Sequence, residues 1–301
     1  MHNLGQLGGV FGRACIALAM MAFGVQHLVY SDFITRLVPK LPGWIPGHSL
    51  LAWIFGVYLI ATGLALFLKQ PARVAALLLC AVLFVSLTVL YLPALAANPG
   101  DMGLWTKAGK ALTFAGAALL IVGSLPLRYN EQEGTLARFT NPLEKCVPLG
   151  RYFLAGFFAF CGVLHFFYVP FVAGLVPSWI PGHVFWTYFS GTALILAGVG
   201  ISLHPTERTA ATLSAVMVFI WVLILHIPRA LSDLHDSNET TAVFEAIAVT
   251  GTALLVATRQ RLGAIERSCE VISHLSAVGG SSREFANVPA VSNHRSAPTQ
   301  L

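Results

Sequence analysis

Long apolar runs alternate with short polar connections along the chain. Each run is about 20 residues long, which is the length of a helix that crosses the hydrocarbon core of a bilayer. Charged residues, Pro or Gly bound the runs. We therefore predict eight membrane-spanning helices. They cover residues 13–30, 49–68, 72–97, 105–125, 151–168, 184–203, 208–228 and 241–258.

The composition favours a membrane protein over a soluble one. Of the 301 residues, 56% are hydrophobic and 10% are Asp, Glu, Lys or Arg. An average soluble domain has roughly 25% charged residues, which it needs to cover its surface. The composition therefore disfavours a soluble enzyme, a nucleic-acid-binding protein and a disordered chain, and the expected partner is a lipid bilayer.

The two halves of the chain repeat the same motifs. His27–Tyr30 (HLVY) recurs as His165–Tyr168 (HFFY), and Trp44–His48 (WIPGH) recurs as Trp179–His183. Downstream Gly, Arg and Pro positions keep a constant spacing between the halves. Each half contains four predicted helices, an even number, so we expect parallel repeats related by an axis along the membrane normal. The predicted fold is an all-α membrane protein of two four-helix bundles.

This organisation divides the chain into four parts. We predict a first four-helix repeat over residues 1–125 and a second over residues 151–258. A polar connector at 126–150 joins them, and a polar, Ser-rich tail follows at 259–301. The composition of the tail is typical of a disordered cytoplasmic extension.

Basic residues predict the orientation. Membrane proteins concentrate Lys and Arg on the cytoplasmic side. A cytoplasmic N-terminus puts most of the 18 Lys and Arg residues on the inner side. We therefore expect both termini in the cytoplasm and a location in the inner (plasma) membrane. The inner set is Arg13, Lys69, Arg73, Arg128, Arg138, Lys145, Arg151, Arg208, Arg259, Arg261, Arg267, Arg283 and Arg295. The outer set is Arg36, Lys40, Lys107, Lys110 and Arg229.

Ionisable residues inside the apolar runs gather near the outer ends of the predicted helices. His27, for example, lies about 21 Å above Arg13 at 1.5 Å per residue. Such groups commonly face a bundle interior or a water-filled cavity and mark a site. The alternative is that they reach the headgroups and hold helices together. The layer contains His27, Tyr91, Lys110, His165, His226, Arg229 and Glu245.

His27 and His165 allow a further interpretation, as axial ligands of a haem b. Equivalent positions in two separate bundles would be far apart, which argues against it. A single buried His in a bundle more often donates a hydrogen bond to a nearby Tyr or carbonyl group. We therefore expect no haem and no metal site.

Several residues of the second half resemble the pattern of the DoxX-like membrane protein family. The pattern is a helix ending H-x-x-Y, an L-V-P…W-I-P-G-H loop, and a following helix with a Trp and then two Gly residues. The matching residues are His165, Tyr168, Val176, Pro177, Trp179, Pro181, Trp186, Gly191, Gly198, His226, Arg229 and Glu245. The first half keeps the early motif, but it has Tyr91, Ala94 and Lys110 where the second half has His226, Arg229 and Glu245.

The resemblance implies that the chain is a fused pair of four-helix units. The family is named for a subunit associated with a terminal quinol oxidase, and related members are tied to thiosulfate:quinone oxidoreduction. The resemblance thus implies an association with quinones and with redox partner subunits. Fold alone does not establish this function.

Three functions are therefore open. The chain could be a redox-associated subunit that binds a quinone or similar apolar small molecule near the outer face, a small-molecule or lipid carrier, or a non-catalytic assembly protein. The sequence contains no nucleotide-binding loop, catalytic triad or C-x-x-C motif, which makes independent catalysis the weakest option. The candidate pocket consists of His165, Tyr168, His226, Arg229 and Glu245, with an ion pair between Arg229 and Glu245. Its degenerate counterpart consists of His27, Tyr30, Tyr91 and Lys110, with Lys110 turned toward the headgroups.

The asymmetry of basic residues gives a first testable prediction. Reporter fusions after Gln260 and within the 126–150 connector should both report a cytoplasmic location. An external connector would overturn the predicted orientation.

Overall fold

The computed structural model describes residues 2–39, 41, 45–68, 71–125 and 145–281, and within these residues it contains helices and turns but no strand. Two π-helical segments, Leu87–Tyr91 and Val222–His226, each connect two α-helices. The α-helices are α1 (His2–Tyr30), α2 (His48–Phe67), α3 (Ala72–Ser86), α4 (Leu92–Ala97), α5 (Met102–Ser124), α6 (Leu149–Phe167), α7 (Val169–Leu175), α8 (His183–Ser202), α9 (Glu207–Trp221), α10 (Ile227–Ser232) and α11 (Ser237–Ser281).

The helices have the length and composition of membrane spans. Among the described residues, seven helical segments are long and apolar enough to cross a membrane. This confirms the predicted all-α, membrane-type fold. Helix α5 is not one of the seven, so its role as a further span stays a prediction. The seven are Leu7–Tyr30, His48–Phe67, Ala72–Ala97, Leu149–Phe167, His183–Ser202, Glu207–Ser232 and Ser237–Arg259.

The repeated WIPGH motif begins a helix in each half. Gly47 and Gly182 have φ angles of 73° and 75°, a left-handed conformation that is unfavourable for residues with a Cβ atom. The chain then enters α2 at His48 and α8 at His183. The motif therefore recurs because the same turn is built twice.

Each π-helical segment directly precedes a proline-containing helix. Pro93 and Pro228 lie at the start of α4 and α10, and a proline cannot donate the next hydrogen bond of an α-helix. The wider π turn accommodates the missing donor. Tyr91 and His226 are the last residues of the two segments. They therefore occupy equivalent positions in the two halves.

Glycines bring the first two helices of each half into close contact. A Cβ atom on Gly24 would lie 2.5 Å from the carbonyl oxygen of Gly56, and one on Gly162 would lie 2.6 Å from that of Gly191. Gly56 and Gly191 therefore serve close packing of these helices.

The same kind of contact joins the two halves. A Cβ atom on Gly251 in α11 would lie 2.6 Å from the carbonyl oxygen of Gly12 in α1. A Cβ atom on Gly150 would lie 2.6 Å from that of Gly116 in α5. The last helix of each half therefore packs near the start of the first helix of the other half. Consistent with this, Met1–Gln260 form one compact unit rather than two separate bundles.

A second unit comprises Arg261–Leu301. Within it the backbone of α11 continues to Ser281, so helix extends past the predicted start of a disordered tail at residue 259. The rest of that tail, residues 282–301, and residues 126–144 of the predicted connector lie outside the described residues, as do Lys40, Trp44 and Lys69.

Gly251→Ala should destabilise the protein because the new Cβ would press on the backbone of α1. Overpacking of this kind costs about 1–3 kcal/mol. Thermal unfolding in detergent measures the effect. Gly156→Ala is the matched control, since a Cβ there has no neighbour within 4 Å. Equal unfolding temperatures of the two variants would contradict the close approach of α1 and α11.

Candidate functional site

A buried cluster of charges lies about two turns from the starts of α5 and α11. The carboxylate of Glu245 accepts a hydrogen bond from Arg36 Nε at 2.7 Å and another from Lys110 Nζ. The side chains of Glu245 and Lys110 are 6% and 11% exposed, and that of Arg36 is 34% exposed. Lys110 and Glu245 are separated by 135 residues, the repeat spacing, so equivalent positions of the two halves form the ion pair.

The predicted ion pair between Arg229 and Glu245 is therefore wrong. Arg229 donates to Glu239 instead, with N–O distances of 3.0 and 2.5 Å. These two side chains are 36% and 23% exposed. Glu239 and Glu245 lie on one helix about 9 Å apart along its axis, and the sequence does not indicate which of them faces α10. The expectation that Lys110 turns toward the headgroups is also wrong, because its ammonium group is buried against Glu245.

A small cavity of about 50 Å³ adjoins this cluster. Of the described residues that line it, three carry positive charge and one carries negative charge. Tyr91 also lines the cavity, and its hydroxyl donates to the carbonyl oxygen of Leu37. The volume suffices for water or one polar group but not for a ring system. The polar lining residues are Arg36, Ser86, Tyr91, Lys107, Lys110 and Glu245.

The cavity belongs mainly to the first half, whereas the sequence placed the pocket in the second. Glu245 is the residue of the predicted pocket that lines it, and Tyr91 and Lys110 come from the predicted degenerate counterpart. The remaining predicted residues, His27, Tyr30, His165, Tyr168, His226 and Arg229, are not among its lining residues. Glu245 lines this cavity because it reaches across to α5, and the assignment of the ligand pocket to the second half stays a prediction.

Arg36 and Lys107 are site residues that sequence reasoning missed. Both entered that reasoning only as outer basic residues that set the orientation. A usable signal was present in the sequence, because Lys110 and Glu245 have opposite charges at equivalent repeat positions. Opposite charges at equivalent positions can pair across an interface between repeats, and the structure forms this pair.

The two repeated histidines make the same local contact. Nδ1 of His27 donates to the carbonyl oxygen of Phe23, and Nδ1 of His165 donates to that of Cys161, both at 2.7 Å. The ring of His27 is fully buried and has edge contacts with Phe55 at a centroid distance of 5.2 Å. Each donor bonds the carbonyl four residues earlier, the kind of hydrogen bond predicted as the alternative to haem ligation. No group of three or more metal-ligating side chains occurs among the described residues.

A second, larger space also adjoins Tyr91. This apolar groove has a volume of about 320 Å³ and lies between α4, α5 and α6. Tyr91 lines both the charged cavity and the groove. The sequence did not predict the groove, because it depends on how α6 packs against α5.

A second polar cluster occurs at the opposite ends of the helices. Arg151 donates to Glu207 and lies 3.1 and 3.2 Å from the ring nitrogens of His204, and its guanidinium stacks on Tyr152 at 4.4 Å. Arg73 donates to the carbonyl oxygens of Val122 and Leu125, at 2.9 Å each, and so caps the end of α5. The sequence treated both arginines only as orientation markers, but both are buried and hold helix ends together.

The chain was compared with known protein families, curated proteins and solved structures. A family model described as a domain of unknown function (DUF8561) matches residues 154–263. The matched range contains Glu245 but neither Lys110 nor Arg36. No curated protein and no solved structure matches the chain.

Glu245→Gln should destabilise the protein strongly because it leaves Lys110 and Arg36 together without the carboxylate. Breaking a buried ion pair costs about 3–5 kcal/mol. The measurement is the free energy of unfolding in detergent micelles. The control is Glu239→Gln, which breaks a partly exposed pair and should cost about 1 kcal/mol or less.

The double variant Lys110→Met with Glu245→Leu tests the pairing itself. Removing both buried charges should recover much of the lost stability, since an apolar pair of similar volume is often tolerated. A double variant less stable than Glu245→Gln alone, or similar losses for Glu245→Gln and Glu239→Gln, would contradict the pairing.

Proposed function

We propose that the chain is an integral membrane protein of the DoxX-like type, with eight spans in two parallel repeats. The equivalent helices support this proposal, because α2 and α8, α3 and α9, α4 and α10, and α5 and α11 begin at the same repeat spacing. The two glycine contacts between halves, Gly12 with Gly251 and Gly116 with Gly150, are also equivalent. Helix α5 is then the eighth span, and both termini face the cytoplasm of the plasma membrane.

We infer that this protein binds a quinone or similar apolar small molecule with a polar group near its outer face. The observation that supports this best is the buried cluster of Lys110, Glu245 and Arg36 beside a cavity. Buried charges in a membrane bundle are costly and commonly mark a functional site. The surplus of positive charge suits an electron-rich oxygen atom, such as a quinone carbonyl.

This function is binding in support of a redox complex rather than independent catalysis. The polar group of the ligand would enter the cavity, where Lys107, Lys110 and Arg36 offer N–H donors. Partner subunits would then carry out the electron transfer. The exposed aromatic side chains of Trp179 and Phe185 offer apolar surface for lipids or such partners.

A carrier is the second candidate, and the position of Glu245 favours it. This carboxylate bonds Lys110 of α5 and Arg36, and so links the two halves near the cavity. Movement of one half against the other would have to break these bonds. A transported substrate that competes for Lys110 and Arg36 could trigger that movement.

The test is extraction and titration of quinone with the purified full-length protein. We expect quinone in the extract, and about tenfold weaker quinone binding by Lys107→Met, which removes one charged donor from the cavity. Lys145→Met is the control, because Lys145 does not line the cavity. The quinone affinity of this variant should equal that of the unmodified protein. Absence of quinone from the extract together with no binding in titration would overturn the quinone proposal and favour the carrier or assembly function. A visible absorption spectrum of the same sample reports any other pigment.

A further inference from the structure

The apolar groove beside Tyr91 is larger than a shallow gap between helices. Its volume of about 320 Å³ falls within the range of small-molecule sites, roughly 300–1,000 Å³. It is open at the surface of the protein, where the lining side chains of Leu92 and Trp105 are exposed. Its lining includes Trp105, Phe153, Gly156, Phe157 and Phe160.

Two glycines keep the groove open. A Cβ atom on Gly156 would have no neighbour within 4 Å, and one on Gly109 would lie 3.0 Å from the ring of Phe157. Side chains at these two positions would therefore project into the space or displace its wall. The groove exists because neither residue has a side chain.

Comparison of the two repeats shows that the lack of side chains at Gly109 and Gly156 is specific to one face of the protein. The helix pair α11 and α1 is equivalent to α5 and α6. Phe244 stands at the position equivalent to Gly109, and Leu18 stands at the position equivalent to Gly156. Phe244 packs against the core. The fold therefore accepts large side chains at both positions, and the glycines are not required by packing of the repeat.

Tyr91 connects the groove to the charged cluster. It is almost fully buried, and it lines both the groove and the cavity that contains Lys110 and Glu245. Its equivalent in the second half is His226. A molecule in the groove would therefore have an apolar body against Phe153 and Phe157, with one end at Tyr91.

We propose that the groove holds the apolar body of the ligand, and that this ligand is a long-chain amphiphile whose polar end points toward Tyr91. The inference rests on the proposed function. It adds a position for the ligand in the structure and a contribution of the ligand's apolar tail to affinity. The charged cavity is too small for a ring, so the groove is the space that accommodates the larger part of the molecule.

The experiment compares two probes on the purified full-length protein in lipid nanodiscs. One probe is a benzoquinone with a decyl chain, and the other is the same ring with a methyl group in its place. The unmodified protein should bind the decyl quinone at least about tenfold more tightly, because the chain buries apolar surface in the groove. Gly156→Leu, which introduces the side chain found at position 18, should weaken decyl quinone binding about tenfold. It should weaken methyl quinone binding less, because that probe has no chain for the new side chain to displace from the groove.

Gly174→Leu is the matched control. Gly174 also has no neighbour within 4 Å of its Cβ position but does not line the groove, so its affinity for both probes should be that of the unmodified protein. Chain-length dependence in the unmodified protein tests the proposal even if Gly156→Leu fails to fold.

The possible failures are distinguishable. If neither probe binds the unmodified protein, the proposed function and this inference are both overturned. If both probes bind it equally, or if Gly156→Leu does not weaken the decyl quinone, the groove holds membrane lipid only, and this inference alone is overturned. A change of oligomeric state in Gly156→Leu, measured by light scattering, would instead identify the groove as a contact between copies and also overturn the inference.

Discussion

The ion pair between Lys110 and Glu245 is the interaction on which one end of the helical bundle depends. A buried charge is stable only when an opposite charge and hydrogen bonds replace its water. Glu245 on α11 obtains both from Lys110 on α5 and from Arg36 beyond the end of α1. The need to pair these charges therefore brings together segments from both halves of the chain, and a polar cavity forms beside them.

The remainder of the frame follows from close packing and from a second set of charges. Facing glycines bring α1 into contact with α11, and they bring α5 into contact with the start of α6. The backbones approach each other closely at these points, which increases the number of dispersion contacts. At the opposite helix ends, Arg151 pairs with Glu207 and Arg73 binds the last carbonyl groups of α5. Polar contacts thus restrain the bundle at both ends, with an apolar core between them. A frame held in this way can keep a small cavity and a groove at constant positions.

The two halves use one framework for different chemistry. Lys110 and Tyr91 in the first half correspond to Glu245 and His226 in the second, and two groove glycines correspond to Phe244 and Leu18. Each difference changes charge or volume at a position whose backbone is retained. Duplication therefore supplies two equivalent faces, of which one carries the open groove. Under the proposed function the ligand binds on that face, and the opposite face supplies Glu245 and packing.

The sequence by itself determined the class of fold and most helix bounds. These properties depend on local composition, on periodicity and on the WIPGH repeat, in which Gly47 and Gly182 build the same turn twice. It did not determine which charges pair. Glu239 and Glu245 lie on one helix within reach of the same end of the bundle, and only the packing of α11 against its neighbours directs Glu239 to Arg229 and Glu245 to Lys110. The tertiary structure also decided the location of the cavity and the groove, because both are spaces between helices distant in sequence. Their shapes depend on contacts such as Gly116 with Gly150, which no local pattern encodes.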